Sequence, residues 1–523
     1  MTATPLEDAV PLPLDGQVHN VMPHGSPPRG LLSTPSSQLF QGRFGRMFRL
    51  LPPGRYGATE QASRAALMTL GEKMTSTLDP PKDGADAEES GIPALYTYFG
   101  QFVDHDITFD PVSTLTRHGD PDGLTDFRTP ALDLDNVYGR GPNDQPYLYN
   151  NGPKFLLGDA LLNGAPDLPR NNADPQRALI GDPRNDENSV VSQFQALFLR
   201  FHNRMVDENH SLNFQEIQRL VRFHYQYVIL NDFLPRIINA DVLEDLTTDG
   251  QYDRGKLKFF HWRHRPFMPV EFSVAAYRLG HSMIRPGYRL NDNILLPIFP
   301  VPDKGLPEGL TGFRAMNPFW GIDWGRFIDL DTRSDGTDNP DDEATHRRLQ
   351  FAYRIDTSLV EPLAGLPPSV AGDPPPSLAQ RNLLRGLELD LPTGQAVARA
   401  MGVHPLSDSE IIIGKAVDAP GDGDVLGSID EVEGLEPFRE NCPLWTYILA
   451  EAAHHKLEVP LPVTEVKSNQ TPQLGPVGGR IVAEVFLGML FGDNDSLLNL
   501  DPNWTPDDPG FELKDLVAFA LGG

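Results

Sequence analysis

The sequence predicts a mainly α-helical protein, organised as one large domain with long loops and little β structure. Several segments place apolar residues three and four positions apart, which is the period of an amphipathic helix, whereas strand-like alternation is rare and short. The 50 prolines and 47 glycines among 523 residues favour long connections between these helices. A hydrophobic content of 39% with 22% charged residues is typical of a globular protein with a large core.

The predicted elements are an N-terminal arm followed by a series of helices. The first 45 residues are rich in Pro, Gly and Ser without any period, which predicts an extended N-terminal arm; residues 46–523 form the predicted domain. An amphipathic run begins the stretch 94–111 and is read as a helix. Further helices are predicted over 193–208, 214–237, 270–284 (ended by Pro286), two stretches of 376–401 that part near Leu391 and Pro392, and 478–491.

The net charge of −28 bears on the class of partner. Nucleic acid is disfavoured, because its phosphates need Lys and Arg to displace counterions, and an anionic membrane surface is disfavoured for the same reason. No apolar run reaches the roughly 18–20 residues of a membrane-spanning helix. The sequence therefore predicts neither a nucleic-acid partner nor a membrane span.

Cysteine content and the first residues bear on the cellular compartment. Cys442 is the single cysteine, which excludes an intramolecular disulfide and thiolate-ligated metal sites within the chain. The opening residues lack a basic region followed by an apolar segment, so no secretory signal is expected. Localisation stays open between the cytoplasm and a non-classical route of secretion.

Three adjacent polar residues, Asp104, His105 and Asp106, follow the amphipathic run within 94–111. Neighbours on a helix are about 100° apart, so the three side chains point in three directions and can serve three purposes. The triplet by itself is a short motif that also occurs by chance. Its meaning depends on the residues that other parts of the chain bring to it.

Alternating oxygen donors occur in the stretch 129–139. Thr129, Ala131 (through its carbonyl), Asp133 and Asp135 alternate, and such oxygens are the ligands that Ca²⁺ prefers. Asp106 is the natural further ligand. A strand with polar alternation explains the same pattern equally well, and the spacing is not that of a calcium helix–loop–helix.

Two further stretches carry chemistry-bearing residues. Arg184 and Glu187 are three residues apart, so they can face one pocket, although a polar turn that caps the next helix is the commoner reading. His281 lies among small and apolar residues, where a histidine is usually a satisfied core residue. It becomes a metal ligand when a partner holds its other ring nitrogen.

Five motifs in this order resemble the animal-type haem peroxidases, the superfamily of myeloperoxidase, lactoperoxidase and peroxidasin. They are GQFVDHD, LDLDNVYG, DPRNDEN with the following LFLRFHNRM, YRLGHSMI, and RNLLRGLELDLP, and the resemblance runs from about residue 42 to residue 493. The shortened frame, without the cysteine pairs of the mammalian enzymes, is more similar to the bacterial members. The resemblance implies a helical peroxidase domain that reduces hydrogen peroxide through a ferryl intermediate and oxidises halides, thiocyanate or phenolic donors.

The resemblance also implies roles for individual residues. It assigns His105 as distal acid and base, Arg184 as its charged partner, and Gln101 as the distal glutamine. It assigns His281 as the iron ligand of a haem b-derived cofactor and Asn382 as acceptor of the other N–H of His281. Asp104 and Glu187 match the carboxylates that form ester links to the haem, Arg278 belongs to the cofactor-binding set, and the calcium shell comprises Asp106, Thr129, Ala131, Asp133 and Asp135.

Departures from the family pattern keep alternatives open. Asn188 stands where myeloperoxidase has the methionine of a third haem bond, and Asp135 where the mammalian enzymes have a serine. A fatty-acid dioxygenase of the same superfamily is the enzymatic alternative, but its tyrosine lies three residues before the proximal histidine, where this chain has Arg278; Tyr277 is one residue off. A non-catalytic calcium-stabilised binding protein is the other alternative. The acidic stretch 329–343 is read as a surface loop or a second metal loop.

Overall fold

The computed structural model describes most of the chain. The described residues are 42–76, 86–108, 125–126, 128–150, 152–302, 305–336, 347–368, 370–416 and 426–522. Residues 1–41 of the predicted N-terminal arm lie outside the described residues. The last four residues of that arm, Gly42–Gly45, form a strand.

Helices make up most of the regular structure, which confirms the predicted mainly α class. They are α1 (Glu60–Lys73), α2 (Leu95–Ile107), α3 (Asp135–Tyr138), α4 (Ser189–Glu208), α5 (Phe214–Val228), α6 (Leu234–Ile237), α7 (Ala240–Glu244), α8 (Val270–Ser273), α9 (Leu378–Glu388), α10 (Gly394–Met401), α11 (Leu444–Ala452), α12 (Gly478–Gly492), α13 (Leu497–Leu500) and α14 (Leu513–Leu521).

The strands are short and pair locally. They are β1 (Gly42–Gly45), β2 (Glu89–Pro93), β3 (Thr125–Asp126), β4 (Thr247–Thr248), β5 (Gln251–Tyr252), β6 (Met268–Pro269), β7 (Gly287–Asn291), β8 (Ile294–Pro297), β9 (Phe351–Tyr353), β10 (Ile412–Ile413), β11 (Gly427–Ser428), β12 (Lys456–Pro460) and β13 (Ser468–Pro472). Strand β1 pairs antiparallel with β3 and parallel with β6, and the others form two-stranded antiparallel pairs: β2–β9, β4–β5, β7–β8, β10–β11 and β12–β13.

A cluster of aromatic rings fixes helix α2 against α4 and α5. The ring of Phe102 stacks on Phe198 with centroids 4.5 Å apart and meets Phe194 edge-on at 5.2 Å. Phe99 and Tyr225 complete the cluster at 6.1 Å from each other. These rings are buried, and pairs at such distances add stabilisation beyond burial alone. Helix α2, which carries the triplet 104–106, is therefore held by a close-packed core.

Two of the predicted helices differ from the observed ones. The predicted helix 214–237 contains a π-helical turn, Ile229–Phe233, which ends two residues before Pro235. The missing N–H of Pro235 leaves the regular α ladder without a donor. The predicted helix 270–284 is only α8 followed by a 3₁₀ segment, Ala276–His281. There, the Arg278 side chain donates to the Ser273 carbonyl at 3.1 Å and so replaces a main-chain partner.

The other predicted helices are present. They are α2, α4, the pair α9 and α10, and α12. Among the described residues, no helix is both long enough and apolar enough to cross a membrane.

Candidate active site

Helix α2 presents its three consecutive polar residues in different directions, as the helical period predicts. His105 is buried with 3% exposure, and Asp106 is completely buried. Asp104 is half-buried and accepts a hydrogen bond from the Thr108 hydroxyl at 3.0 Å. Each side chain therefore has its own surroundings.

The imidazole of His105 is oriented by a side chain that the sequence reasoning missed. Its Nδ1 lies 2.6 Å from Oδ1 of Asn185, and Nδ2 of Asn185 donates to Oε1 of Gln195 at 2.7 Å. Since the amide nitrogen of Asn185 is engaged by Gln195, its oxygen faces His105 and accepts the Nδ1 proton. Nε2 of His105 then carries the lone pair, which is the arrangement a general base needs.

Gln101 and Glu187 meet on the Nε2 side of His105. Oε1 of Glu187 lies 3.5 Å from Nε2 of His105, and the Gln101 amide donates to the same Glu187 oxygen. Asn188 donates to Gln101 at 3.2 Å, while its own Oδ1 caps the first turn of α4. Gln101 and Glu187 therefore lie together at the Nε2 edge of the His105 imidazole.

Arg184 lies at the C-terminal end of α2. Its guanidinium donates to the main-chain carbonyls of His105 at 3.1 Å and Thr108 at 2.6 Å, and pairs with Asp182 at 2.8 Å. A positive charge at this end of a helix is favourable because the last carbonyls lack intrahelical partners. The predicted role of Arg184 as the charged partner of His105 stays a prediction.

Three carboxylates form a close group beside α2. Carboxylate oxygens of Asp106, Asp133 and Asp135 all lie within 4.8 Å of one another. Oδ2 of Asp106 accepts hydrogen bonds from the Leu134 N–H and the Tyr225 hydroxyl, whereas Oδ1 is buried with no hydrogen-bond partner in the described structure.

The electrostatics of this group favour a cation. Burial, followed by the charges of Asp133 and Asp135, raises the pKa of Asp106 well above its usual value. Burial also raises the pKa of Asp135 to about 7, although Arg128 lowers it. An orphaned buried oxygen among three carboxylates fits a hard cation such as Ca²⁺. The Thr129 hydroxyl lies 3.5 Å from Oδ2 of Asp135, and Ala131, between these two residues in the chain, is buried.

Arg128, also missed by the sequence reasoning, joins this acidic group to Arg184. Its guanidinium donates to Asp135 at 3.0 Å and to Asp182 at 2.6 and 2.9 Å. Burial by itself raises the pKa of Asp182, but Arg128 and Arg184 outweigh it and hold that pKa well below its usual value. The ionised Asp182 is therefore shared by two arginines. Arg128 also contacts Asp135 of the acidic group, and Arg184 also contacts the last carbonyls of α2.

His281 is the last residue of the 3₁₀ segment and pairs with Asn382, as predicted. Nδ1 of His281 lies 2.8 Å from Nδ2 of Asn382, a residue of α9 with 1% exposure. Oδ1 of Asn382 accepts a hydrogen bond from Arg278. With Arg278 on its oxygen, the Asn382 amide nitrogen faces His281 in this structure; acceptance of the His281 N–H by Asn382 stays a prediction.

The segments that carry the two histidines pack against each other. The Tyr277 hydroxyl donates to the Gly100 carbonyl of α2 at 3.2 Å, and a Cβ at Gly100 would lie 3.3 Å from the Phe233 ring. Burial, followed by the charge of Asp104, raises the pKa of Tyr277 well above its usual value. Two imidazoles on contacting segments, with carboxylates on one side, form a donor set that fits a haem.

The described part of the acidic stretch 329–343 is occupied by ion pairs. The ion pairs are Asp329 with Lys514, Asp331 with Arg333, and Asp335 with Lys467. In the last pair, Nζ of Lys467 lies 2.7 Å from Oδ1 of Asp335. Residues 337–343 lie outside the described residues. In the ranges that the structure covers, the group around Asp106 is the single set of three or more acidic or ligating side chains close enough to hold an ion.

Comparison with known proteins agrees with the sequence motifs. Residues 115–300 match the family model for animal haem peroxidase. Over this span, about a third of its length, the chain is similar to the animal haem peroxidases. The matched span contains Asp133 and Asp135 of the acidic group, together with Arg184, Glu187 and His281. Helix α2 and Asn382 lie outside it.

The curated proteins to which this chain is similar include peroxidases. It is 27% identical over 208 residues to thyroid peroxidase of Mus musculus, covering 35% of this chain and 21% of that protein. It is 30% identical over 245 residues to chorion peroxidase of Drosophila melanogaster, covering 37% and 30% respectively. The alignments thus span less than a third of the length of either relative.

Solved structures share the fold. Peroxidase A from Dictyostelium discoideum matches with a TM-score of 0.58 and 16% identity, covering 92% of this chain and 93% of that one. A fatty acid α-dioxygenase from Arabidopsis thaliana matches with a TM-score of 0.50 and 15% identity, covering 90% and 76%. At these identities, the likeness concerns the fold alone.

Proposed function

We propose that this protein is a haem peroxidase that reduces hydrogen peroxide and oxidises small anionic or aromatic donors. The observation that carries the proposal is the state of His105, whose Nδ1 is held at 2.6 Å by Asn185 while Nε2 faces Gln101 and Glu187. A buried histidine with its outer nitrogen fixed and its inner lone pair available is suited to proton transfer. His281, which pairs with Asn382 of α9, lies on the segment that packs against α2.

The chain's own residues account for binding of the cofactor. His281 would hold the iron, Asp104 and Glu187 would form ester links at the periphery, and Arg278 would pair with a carboxylate of the haem. Bound haem supplies the redox centre that takes oxidising equivalents from peroxide. For Nε2 of His281 to bind metal, Nδ1 must keep its proton, so the Asn382 oxygen must turn towards it. We infer that Arg278 releases that oxygen when it pairs with the cofactor.

Proton transfer falls to His105. It would accept a proton from hydrogen peroxide at Nε2 and return it to the departing oxygen, a role that typically contributes ~10²–10⁴-fold to the rate. Asn185 keeps the imidazole in the tautomer that this role needs. From its observed place, Arg184 acts by holding the last turn of α2; to reach the peroxide directly, its guanidinium would have to leave Asp182 and Thr108.

A bound Ca²⁺ would complete the distal side. Asp106, Asp133 and Asp135 supply the charge, and Thr129 with the Ala131 carbonyl would supply further oxygen ligands. Because Asp106 directly follows His105 on α2, the cation would fix the turn that presents the distal histidine.

The test is peroxide-dependent donor oxidation by the hemin-reconstituted protein. His105→Ala is expected to lower turnover at least about 100-fold, because it removes the general base, while bound haem per chain stays unchanged. His224→Ala is the matched control: this half-buried histidine of α5 hydrogen-bonds to the Leu220 carbonyl, and its loss should leave turnover within about twofold. Unaltered turnover in His105→Ala would refute the assignment.

A fatty-acid dioxygenase is the second candidate, favoured by one observation. Tyr277 is half-buried between the two histidine-bearing segments, and its hydroxyl donates to the Gly100 carbonyl, so a tyrosine lies close to the candidate haem site. Oxygen uptake with a long-chain fatty acid that Tyr277→Phe abolishes, together with little peroxide turnover, would favour this candidate over the peroxidase.

A further inference from the structure

A strongly basic stretch interrupts this acidic protein. Residues 254–267 contain five Lys or Arg residues and two His residues and no Asp or Glu, in a chain of net charge −28. The site described above uses none of them. Cations concentrated in one short stretch of an acidic chain call for a physical explanation.

The stretch is anchored to the core by its aromatic and proline residues. A Cβ at Gly488 of α12 would lie 2.2 Å from the Phe260 ring, and one at Gly492 would lie 2.1 Å from Pro266, so both contacts depend on glycine. Buried Glu484 of α12 accepts the main-chain N–H groups of Phe259 and Phe260 at 2.7 and 2.8 Å. The loop is therefore firmly seated, and its charged side chains are left on the outside.

Four arginines on this face have no carboxylate partner among the described residues. Arg254 lies 5.0 Å over the Trp262 ring, and Arg49 lies 5.8 Å over Phe267. Arg263 and Arg265 are exposed. In the part of the chain that the structure describes, none of the four arginines forms an ion pair, whereas Lys258 nearby is paired with Asp245.

An exposed apolar residue lies beside these cations. Leu50 is 98% exposed and directly follows Arg49. The Phe48 ring packs on Phe259 with centroids 5.7 Å apart, and β1 pairs with β6, so the chain leading to Leu50 runs along the basic stretch. Arg49, Leu50, Arg254, Arg263 and Arg265 together form what we term the basic face.

We propose that the basic face docks the protein peripherally on an anionic lipid bilayer. The net charge argues against such a partner only at long range, because charges farther away than about 8 Å are screened at physiological ionic strength. What a bilayer meets on this face is a group of arginines without ion-pair partners among the described residues. A soluble polyanion would gain nothing from Leu50, whereas a bilayer would bury it, and this favours lipid over nucleic acid or an acidic polysaccharide.

The test is vesicle co-flotation of the full-length protein, with vesicles of phosphatidylcholine alone or mixed with phosphatidylglycerol. We expect binding to the anionic vesicles only, weakening as salt is raised. Each basic residue near such a surface raises the binding constant about fivefold. The double substitution Arg263→Glu with Arg265→Glu should therefore weaken binding at least about 25-fold. Arg219→Glu with Arg399→Glu, which reverses two exposed arginines on α5 and α10, is the matched control and should change binding by less than the test pair.

Three outcomes would overturn the proposal. The first is binding that does not depend on phosphatidylglycerol, and the second is equal weakening by the test and control pairs. The third is binding to soluble polyphosphate as strong as to vesicles and unaffected by Leu50→Ser, which would identify a polyanion site instead. Peroxide turnover with a soluble donor should be unchanged in the test pair, so this experiment is independent of the proposed function.

Discussion

The substitution Asp106→Asn should stabilise the protein when no divalent cation is bound and destabilise it relative to the wild type when one is bound. In the cation-free protein, Asp106 faces two other carboxylates within 4.8 Å. At an effective dielectric constant of about 20, each such pair repels by about 3.5 kcal/mol. The substituted amide would remove that repulsion yet keep an oxygen for the Leu134 and Tyr225 donors.

The stabilisation gained by the substitution is smaller than the summed repulsion energy of the two carboxylate pairs. The pKa of Asp106 is raised, so the native carboxyl can take up a proton and relieve part of the repulsion. We therefore expect Asp106→Asn to raise the free energy of unfolding by about 1–2 kcal/mol in chelator. With Ca²⁺ in excess the order should reverse, because a ligand held about 100-fold above its dissociation constant stabilises the wild type by about 2.7 kcal/mol and the variant lacks one ligand.

The assay is denaturant unfolding of both proteins in EGTA and in Ca²⁺. Asp356→Asn serves as a control, since Asp356 is a buried carboxylate with a pKa raised to about 7 by its burial and is not part of the acidic group. The control should respond to Ca²⁺ as the wild type does. Wild-type stability that is the same in EGTA and in Ca²⁺ would refute the cation site, and a variant less stable than wild type in both conditions would refute the electrostatic reasoning.

Two further predictions concern buried polar contacts. Asn185→Ala should slow the reaction with hydrogen peroxide about tenfold in stopped-flow measurements, the equivalent of one lost buried hydrogen bond to His105, with haem content unchanged; an unchanged rate would count against it. Glu451 accepts the N–H groups of Val477 and Gly478, and burial raises its pKa to about 7 from an ordinary 4.5. A raised carboxyl pKa means that the folded state holds the proton more tightly, so stability is lost as pH rises from about 4.5 through about 7, by up to about 3 kcal/mol. Glu451→Gln should flatten that dependence in urea titrations; an unaltered slope would contradict this.

The sequence predicted those features that depend on local pattern. The direction of Asp104, His105 and Asp106 follows from the helical period, and α2 does present them to separate surroundings. Helices α4, α9, α10 and α12 follow from apolar periodicity. The partnership of His281 with Asn382, 101 residues apart, came from resemblance to a family, since neither residue predicts the other through any local pattern.

Features that depend on competition between distant side chains were not predictable. No local pattern distinguishes Asn185 from its charged neighbour Arg184, yet the fold turns Asn185 to the imidazole and Arg184 to the carbonyls of α2. Arg128 has no motif of its own; its role arises because it reaches two carboxylates from different segments. The break after α8 likewise depends on a side-chain hydrogen bond from Arg278, which periodicity does not register.

Titration of the purified protein with hemin is the most direct test of the account. We expect one hemin bound per chain with the absorption spectrum of a histidine-ligated iron, lost in His281→Ala and retained in His105→Ala. A chain that binds no hemin, or one in which His281→Ala binds hemin as the wild type does, would contradict the central claim that His281 holds a haem.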